Sequence, residues 1–344
     1  MNDLCKVSIL VPIYCSEQYI ERCARSLFEQ TYNNIEFVFV NDCTLDKSIE
    51  ILDTVLEKYP HRKPYTKIIC HEKNRGVAAA RNTLLMNASG DYILWVDSDD
   101  FIVKNAVEIL VARAIDTNAD IICFGTTVHS VRGDKPLALF NGTRPNELII
   151  DLLSGHILTV LWGNMFRHRL FTDNNISFVE GLDIGEDMLV LIKLINYSKV
   201  ISIEKSIIYY YDDTNDNSLV RSFSIKKADM VITILDMLEE FLKDKLDVSM
   251  YIKERKMEAL LSILYGTCLY GDRPKYNQTK SILKSLDWKN IKNRKSPFYL
   301  FFMKCNYYYI NRLWAYILFV LRHCILIKKK FLMMLNNCQS SFIN

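Results

Sequence analysis

The sequence predicts an α/β domain: a mostly parallel sheet with helices on its faces, followed by a C-terminal helical extension. Two observations carry this. Short apolar runs alternate with amphipathic helical stretches from residue 7 to residue 124, and two of the runs, Ile35–Val40 and Ile93–Val96, lead into aspartates. Alternation of strand and helix implies right-handed crossovers and a sheet covered on both faces. Ligands of such sheets bind beyond the carboxyl ends of the strands, so Asp42 and Asp97/Asp99 can share one crevice.

Each element follows in turn. Val7–Ile13 reads as the first strand, and Ser16 as the cap of a helix whose Ile20, Cys23, Ala24, Leu27 and Phe28 share one face. Ile35–Val40 is a second strand, Leu45–Lys58 a second helix and Thr66–Cys70 a third strand. Val77–Asn87 is an Ala-rich third helix, and Ile93–Val96 a buried strand set between a Gly-Asp turn and carboxylates. A helix over Lys104–Asp116 and a strand over Asp120–Phe124 complete the alternation. The pattern then breaks into a polar loop around Thr126–Arg144. It resumes in short apolar runs near Trp162 and Met165, a helix opened by Gly185-Glu186-Asp187, and helical sequence from Ile225 to Leu286.

The chain has 344 residues, of which 50% are hydrophobic, and a mean hydropathy of +0.03, enough for one large core with an appendage or for two domains. Its ten cysteines include no C-x-x-C pair and no Cys/His spacing suited to zinc. Cys5, Cys23, Cys70 and Cys123 lie in apolar segments as small core residues would, which suits a reducing compartment. Met1–Lys6 contains an acid and Val7–Val11 is too short for a signal-peptide core, so a cytoplasmic location is expected. Ten of the 43 basic residues lie after Trp288 with no acid among them, so residues 1–287 carry 33 basic against all 40 acidic residues, a net −7. The absence of G-x-G-x-x-G and of G-x-x-x-x-G-K-[S/T] disfavours dinucleotide and P-loop enzymes.

The strand-end run Asp97-Ser98-Asp99-Asp100 gathers like charges that are costly unless a cation lies among them. Mg²⁺ or Mn²⁺ prefers such oxygen ligands and bridges to substrate phosphates. A solvated acidic loop is the plain alternative. Arg75 and Arg81 flank the Gly-Val-Ala-Ala-Ala start of the third helix. A helix N-terminus beside a guanidinium can hold a diphosphate, and either arginine could serve; an Ala-rich helix packed on the sheet is the other reading.

Five segments occur in one order: Val7-Ser8-Ile9-Leu10-Val11-Pro12-Ile13-Tyr14, Val40-Asn41-Asp42-Cys43-Thr44, Asn74-Arg75-Gly76 through Arg81-Asn82, Val96-Asp97-Ser98-Asp99-Asp100 and Gly185-Glu186-Asp187. In that order and spacing, residues 5–225 resemble a family 2 glycosyltransferase with the GT-A fold. The resemblance implies an inverting enzyme that moves a sugar from a nucleotide diphosphate, UDP favoured, to an acceptor hydroxyl. By it, residues 1–125 form the donor half and 126–225 the acceptor half; pattern and charge make 226–287 a helical extension and 288–344 a basic aromatic tail. It further implies that Pro12 and Tyr14 cradle the nucleotide and that Asp42 accepts from the base. Asp97 would face the ribose, Asp99 would hold the cation, and Asp187 would be the general base, supported by Glu186. Trp162 is either an acceptor-side platform or a core residue, and Asp42 either a nucleotide ligand or a helix cap. Asn41 departs from the acidic pair common in the family. A silent scaffold with this fold and a nucleotidyltransferase are the alternatives. His71, His129, His156 and His168 have no partner spacing and are expected to be structural or surface residues.

In the tail, Leu313–Ile327 is apolar apart from Arg322 and His323, and Lys328-Lys329-Lys330 follow. The run is shorter than a bilayer span and suits an interfacial helix with its lysines on anionic lipid, the expected route to a lipid-linked or glycan acceptor at the cytoplasmic membrane face. No nucleic-acid motif accompanies it.

Overall fold

The structure is a computed structural model that describes residues 5–130, 133–137, 140, 142–214 and 224–285. The basic aromatic tail lies outside the described residues. Two compact units are present among the described residues: those of 5–214 with 237–251, and 224–236 with 252–285.

In the first unit, β1 (Val7–Ile13), α1 (Ile20–Phe28), β2 (Ile35–Asn41), α2 (Ser48–Leu56), β3 (Thr66–Cys70), α3 (Val77–Asn87) and β4 (Tyr92–Trp95) follow the expected alternation. β1 pairs in parallel with β2 and β4, and β2 pairs in parallel with β3. β1, β2 and β4 are almost wholly buried, as continuous apolar runs require when helices cover both faces of a sheet. β3 is the edge strand and half-exposed; Cys70, expected in the core, is exposed at its end, whereas Cys23 and Cys123 are buried.

Beyond β4 come β5 (Phe101–Ile102), α4 (Ala106–Thr117), β6 (Ile121–His129), β7 (Lys135–Leu137), α5 (Pro145–Ser154), β8 (Asn164–Arg167), α6 (Arg169–Asp173), α7 (Glu186–Tyr197) and β9 (Ile201–Asp212). β8 runs antiparallel between β4 and β6, β9 runs parallel to β6, and β5 returns antiparallel on β9. Among the described residues the sheet order is β3-β2-β1-β4-β8-β6-β9-β5, with β7 paired to β6. β9 thereby brings Tyr209 and Asp212 close to the end of β4, which no local spacing foretold.

Polar ties fix the register. Glu36 is buried and accepts from the Ser8 hydroxyl (2.5 Å), Lys6 Nζ (2.9 Å) and the Ser89 hydroxyl (2.7 Å), linking β2, β1 and the turn before β4. At Gly90 in that turn a Cβ would lie 2.6 Å from the Ser8 backbone nitrogen, so the close approach of the turn to β1 needs glycine. Ser16 does not cap α1 through its side chain; its hydroxyl pairs with that of Ser98 (2.6 Å), while its carbonyl accepts the Tyr19 and Ile20 amides.

In the second unit, the first half of α8 (Ile225–Leu242) accompanies α9 (Ser249–Tyr270) and α10 (Arg273–Ser285). Leu260, Leu261, Leu264, Cys268, Tyr276 and Leu283 form its core, and Lys256–Asp236 (2.6 Å) and Lys275–Asp229 (3.2 Å) pair across its helices. Among the described residues no helix is long and apolar enough to cross a membrane.

Candidate active site

Tyr14 follows β1, Asp42 follows β2 and the Asp97–Asp100 run follows β4, all at carboxyl ends of parallel neighbours. Pro12 lies within β1 opposite Val40, and Tyr14 is 52% exposed just past the strand. The three strand ends therefore stand side by side along one edge of the sheet.

Asp42 is buried and its carboxylate is engaged within the chain. Oδ1 accepts the Arg75 amide (2.9 Å) and meets His71 Nδ1 (2.7 Å), while Oδ2 accepts the Gly76 amide (2.8 Å). His71 also reaches the Thr83 hydroxyl through Nε2 (2.9 Å). Asp42 does not cap α2. The Ser48 amide and hydroxyl at the start of α2 bond Asp46 instead (3.1 and 2.6 Å).

The acidic run is anchored from β9. Asp100 is fully buried; it accepts from the Tyr209 hydroxyl (2.5 Å) and the Asp212 amide (2.8 Å). Burial, with Asp99 and Asp97 nearby, raises its carboxyl well above the usual range. The Tyr209 hydroxyl in turn accepts the Asp97 amide (3.1 Å). Arg22 donates to the Asp99 carbonyl (2.9 Å) and to the Asp212 carboxylate, with its guanidinium 4.5 Å from the Phe101 ring centroid. Asp97 and Asp99 remain partly accessible beyond the end of β4.

Trp162 is buried, and its ring lies parallel to Tyr209 and Tyr211 at 5.2 Å from each. Of the two expectations for it, the core residue is found, for an open platform would need a free face. Its contact supports the tyrosine that holds Asp97 and Asp100.

Arg81 is the hub of the site. It is 5% exposed and donates to Glu186 Oε1 (2.7 Å) and to the Asp187 carboxylate, with Asp97 Oδ1 at 3.6 Å. Burial opposes its charge, but Asp187, Glu186 and Asp97 outweigh that and raise it above the ordinary arginine value. Asp187 is pushed up to about 7, first by burial and next, against the pull of Arg81, by Glu186. Asp97 is likewise pushed up to about 7 by burial, with Arg81 opposing and Asp99 and Asp187 adding. Two carboxyls poised near neutrality beside one guanidinium can exchange protons with a substrate.

Both arginines expected near a diphosphate are committed elsewhere: Arg81 to these acids, and Arg75 to both oxygens of Glu180 (3.0 Å each). Sequence reasoning missed Arg22, His71, Glu180, Asp183, Tyr209 and Asp212. The partners that tie them to Asp42, Arg75, Ala78, Asp100 and one another lie 29 to 190 residues away, so local spacing carried no signal.

Comparison with known proteins agrees. The profile of glycosyl transferase family 2 matches residues 8–171. The uncharacterized glycosyltransferase YibD of Escherichia coli is 29% identical over 220 residues, 61% of this chain and 62% of its own. The poly(ribitol-phosphate) beta-N-acetylglucosaminyltransferase TarS of Staphylococcus aureus is 30% identical over 251 residues, 70% of this chain and 43% of its own. This chain therefore spans less than two thirds of the length of either. A crystal structure of TarS residues 1–349 with UDP-GlcNAc superposes with a TM-score of 0.62 at 24% identity, over 81% of this chain and 80% of that one. The mannosyltransferase PcManGT of Pyrobaculum calidifontis, with GDP-Man and Mn²⁺, shares the fold at a TM-score of 0.52 and 16% identity, over 91% and 87% of the two chains. Residues 8–171 thus match the profile of glycosyl transferase family 2, and the fold around them is the one seen in TarS.

Proposed function

We propose that this protein is an inverting glycosyltransferase that moves a hexosyl or N-acetylhexosaminyl group from a UDP-sugar to a hydroxyl of a cell-surface polymer or glycolipid. The observation that carries the reading is the buried Arg81–Asp187 pair facing Asp97 at the strand ends. The naming of TarS as a poly(ribitol-phosphate) transferase, and its crystallisation with UDP-GlcNAc, support the donor and acceptor classes.

In this reading Asp187 takes the proton of the acceptor hydroxyl as that oxygen attacks the anomeric carbon. The bond to the diphosphate breaks on the opposite face, and the configuration inverts. Arg81 keeps Asp187 oriented and favours its ionised form. Pro12, Tyr14 and Asp42 line the nucleotide side, and Asp97 faces the ribose. Asp42 has most of its accepting capacity used within the chain, so we assign it chiefly the shaping of that pocket.

A divalent cation fits the residues present. Among the described residues no cluster of three or more His, Cys, Asp or Glu makes a ready cage. Asp99 instead offers a hard oxygen ligand, as a carboxylate does where substrate phosphates complete the shell. Mn²⁺ or Mg²⁺ bound there would offset charge on the departing diphosphate. We further propose, from the tail sequence alone, that residues after about 296 dock on anionic lipid at the cytoplasmic face; deletion of that segment should release the protein from membranes.

The test is UDP release from UDP-GlcNAc and UDP-Glc with Mn²⁺, and proton NMR of the product linkage. An inverted linkage, lost in Asp187→Asn while UDP binding persists, is the expected result. A retained configuration, or full activity in Asp187→Asn, would overturn the reading. Nucleotide binding without transfer by the wild-type chain would favour the silent scaffold.

A further inference from the structure

Four residues of one short stretch of chain bind another stretch about 100 residues away. Arg75 Nη2 donates to both carboxylate oxygens of Glu180 (3.0 Å each), and the Ala78 amide to Asp183 Oδ1 (3.3 Å). Arg81 holds Glu186 (2.7 Å) and Asp187. Asn82 pairs with the Phe178 backbone in both directions, Nδ2 donating to the carbonyl (2.9 Å) and Oδ1 accepting the amide (2.8 Å). Residues 75, 78, 81 and 82 recur at helical spacing and so present one flank of α3 and its lead-in. The opposing segment, 178–187, leads into α7 and ends in the Glu186-Asp187 pair.

Two details show that the match is built in. Gly76 has φ +87°, and a Cβ on it would lie 2.4 Å from Asp183 Oδ1, so the carboxylate occupies the space a side chain would fill. The Arg81 guanidinium also lies 5.6 Å from the centroid of the Phe178 ring, so one side chain grips both ends of the segment. The exposed Arg75–Glu180 pair contributes little alone. The buried Arg81 contacts and the Asn82 backbone pair carry the attachment.

We infer that the Asn74–Asn82 motif is the dock that positions the general base, with Arg75, Arg81 and Asn82 acting through the 178–187 segment rather than as ligands of the donor diphosphate. The inference rests on the reading of Asp187 as base. In it the motif and the Gly-Glu-Asp motif, far apart in sequence, are the two halves of one joint. Donor affinity and base placement are then separable properties of the chain.

The test uses the full-length protein with Asn82→Ala and Glu180→Gln, two substitutions away from the reacting groups. Amide hydrogen exchange in residues 178–187, with no ligand present, reads the dock itself. UDP binding by calorimetry and turnover of UDP-GlcNAc or UDP-Glc read its consequence. For Asn82→Ala the expected result is at least tenfold faster exchange, a roughly tenfold lower kcat and a UDP Kd within about twofold of wild type; for Glu180→Gln the same direction, smaller. As a control on the charged arm, Arg75→Gln should match Glu180→Gln in every readout. A UDP Kd weakened tenfold by Arg75→Gln but untouched by Glu180→Gln, or unchanged exchange in Asn82→Ala, would overturn the dock. Wild-type protein that neither binds UDP nor releases it would instead refute the transferase reading, leaving the exchange result to stand for itself.

Discussion

The Arg81 guanidinium and the Asp187 carboxylate form a buried ion pair between the third helix and the start of the seventh, with side-chain exposures of 6% and 15%. Glu186 and Asp97 share the same cation, so Arg81 is what allows three carboxylates to stand together inside the protein.

Arg81→Ala should therefore act on stability as well as activity. Removing one partner of a buried pair leaves uncompensated charge and costs about 3–5 kcal/mol. Urea denaturation should show that loss, with Arg81→Lys in between. A midpoint unchanged in Arg81→Ala would mean the pair is not buried as described.

The same carboxyls set a pH dependence. Asp97 and Asp187 stand at about 7, whereas an unfolded aspartate titrates near 3.9. Between those values the native state holds more protons than the unfolded one, so stability falls as pH rises from about 4 to about 7. Glu36 works in the opposite sense at lower pH. Burial alone would raise it, but hydrogen bonds from Ser8, Lys6 and Ser89 bring it down to about 2, so its stabilisation is lost as pH falls through that value from about 4.5. Denaturation midpoints without nucleotide or cation should be higher at pH 5.5 than at pH 8, and Asp97→Asn with Asp187→Asn should flatten the difference. Transfer activity should rise with pH through about 7, since the base acts when ionised.

Tyr209→Phe tests the anchoring of the acidic run. The hydroxyl donates to Asp100 and accepts the Asp97 amide, and its loss strands a buried carboxyl, at a cost of about 1–3 kcal/mol. Thermal unfolding should register the loss, and cation-dependent UDP binding should weaken several-fold because Asp97 and Asp99 lose their support. Equal binding by wild type and variant would show that β9 does not set the geometry of the run.

What the sequence disclosed follows from what is local. β1 falls where its apolar run places it, and the buried face of α1 is the one its spacing picks out. The Asp97–Asp100 run and Gly185-Glu186-Asp187 were legible because strand ends and helix starts are where such acids gather. The partners were not. Arg81 reads as a surface or donor arginine until Asp187, 106 positions later, is folded against it. Tyr209 and Asp212 come from a strand that lies beside β6, which is joined to β4 through an antiparallel strand, β8, only four residues long. Trp162 reads in sequence as a sugar platform or a core residue, and it is buried against two tyrosines that the same strand delivers.

The most direct test of the account is calorimetric titration of UDP, GDP and dTDP into the purified protein, with and without Mn²⁺, for wild type and Asp99→Ala. The account predicts that UDP binds, that binding needs Mn²⁺, and that Asp99→Ala abolishes it. UDP binding that is indifferent to both chelation and Asp99→Ala, or no binding of any nucleotide, would contradict it.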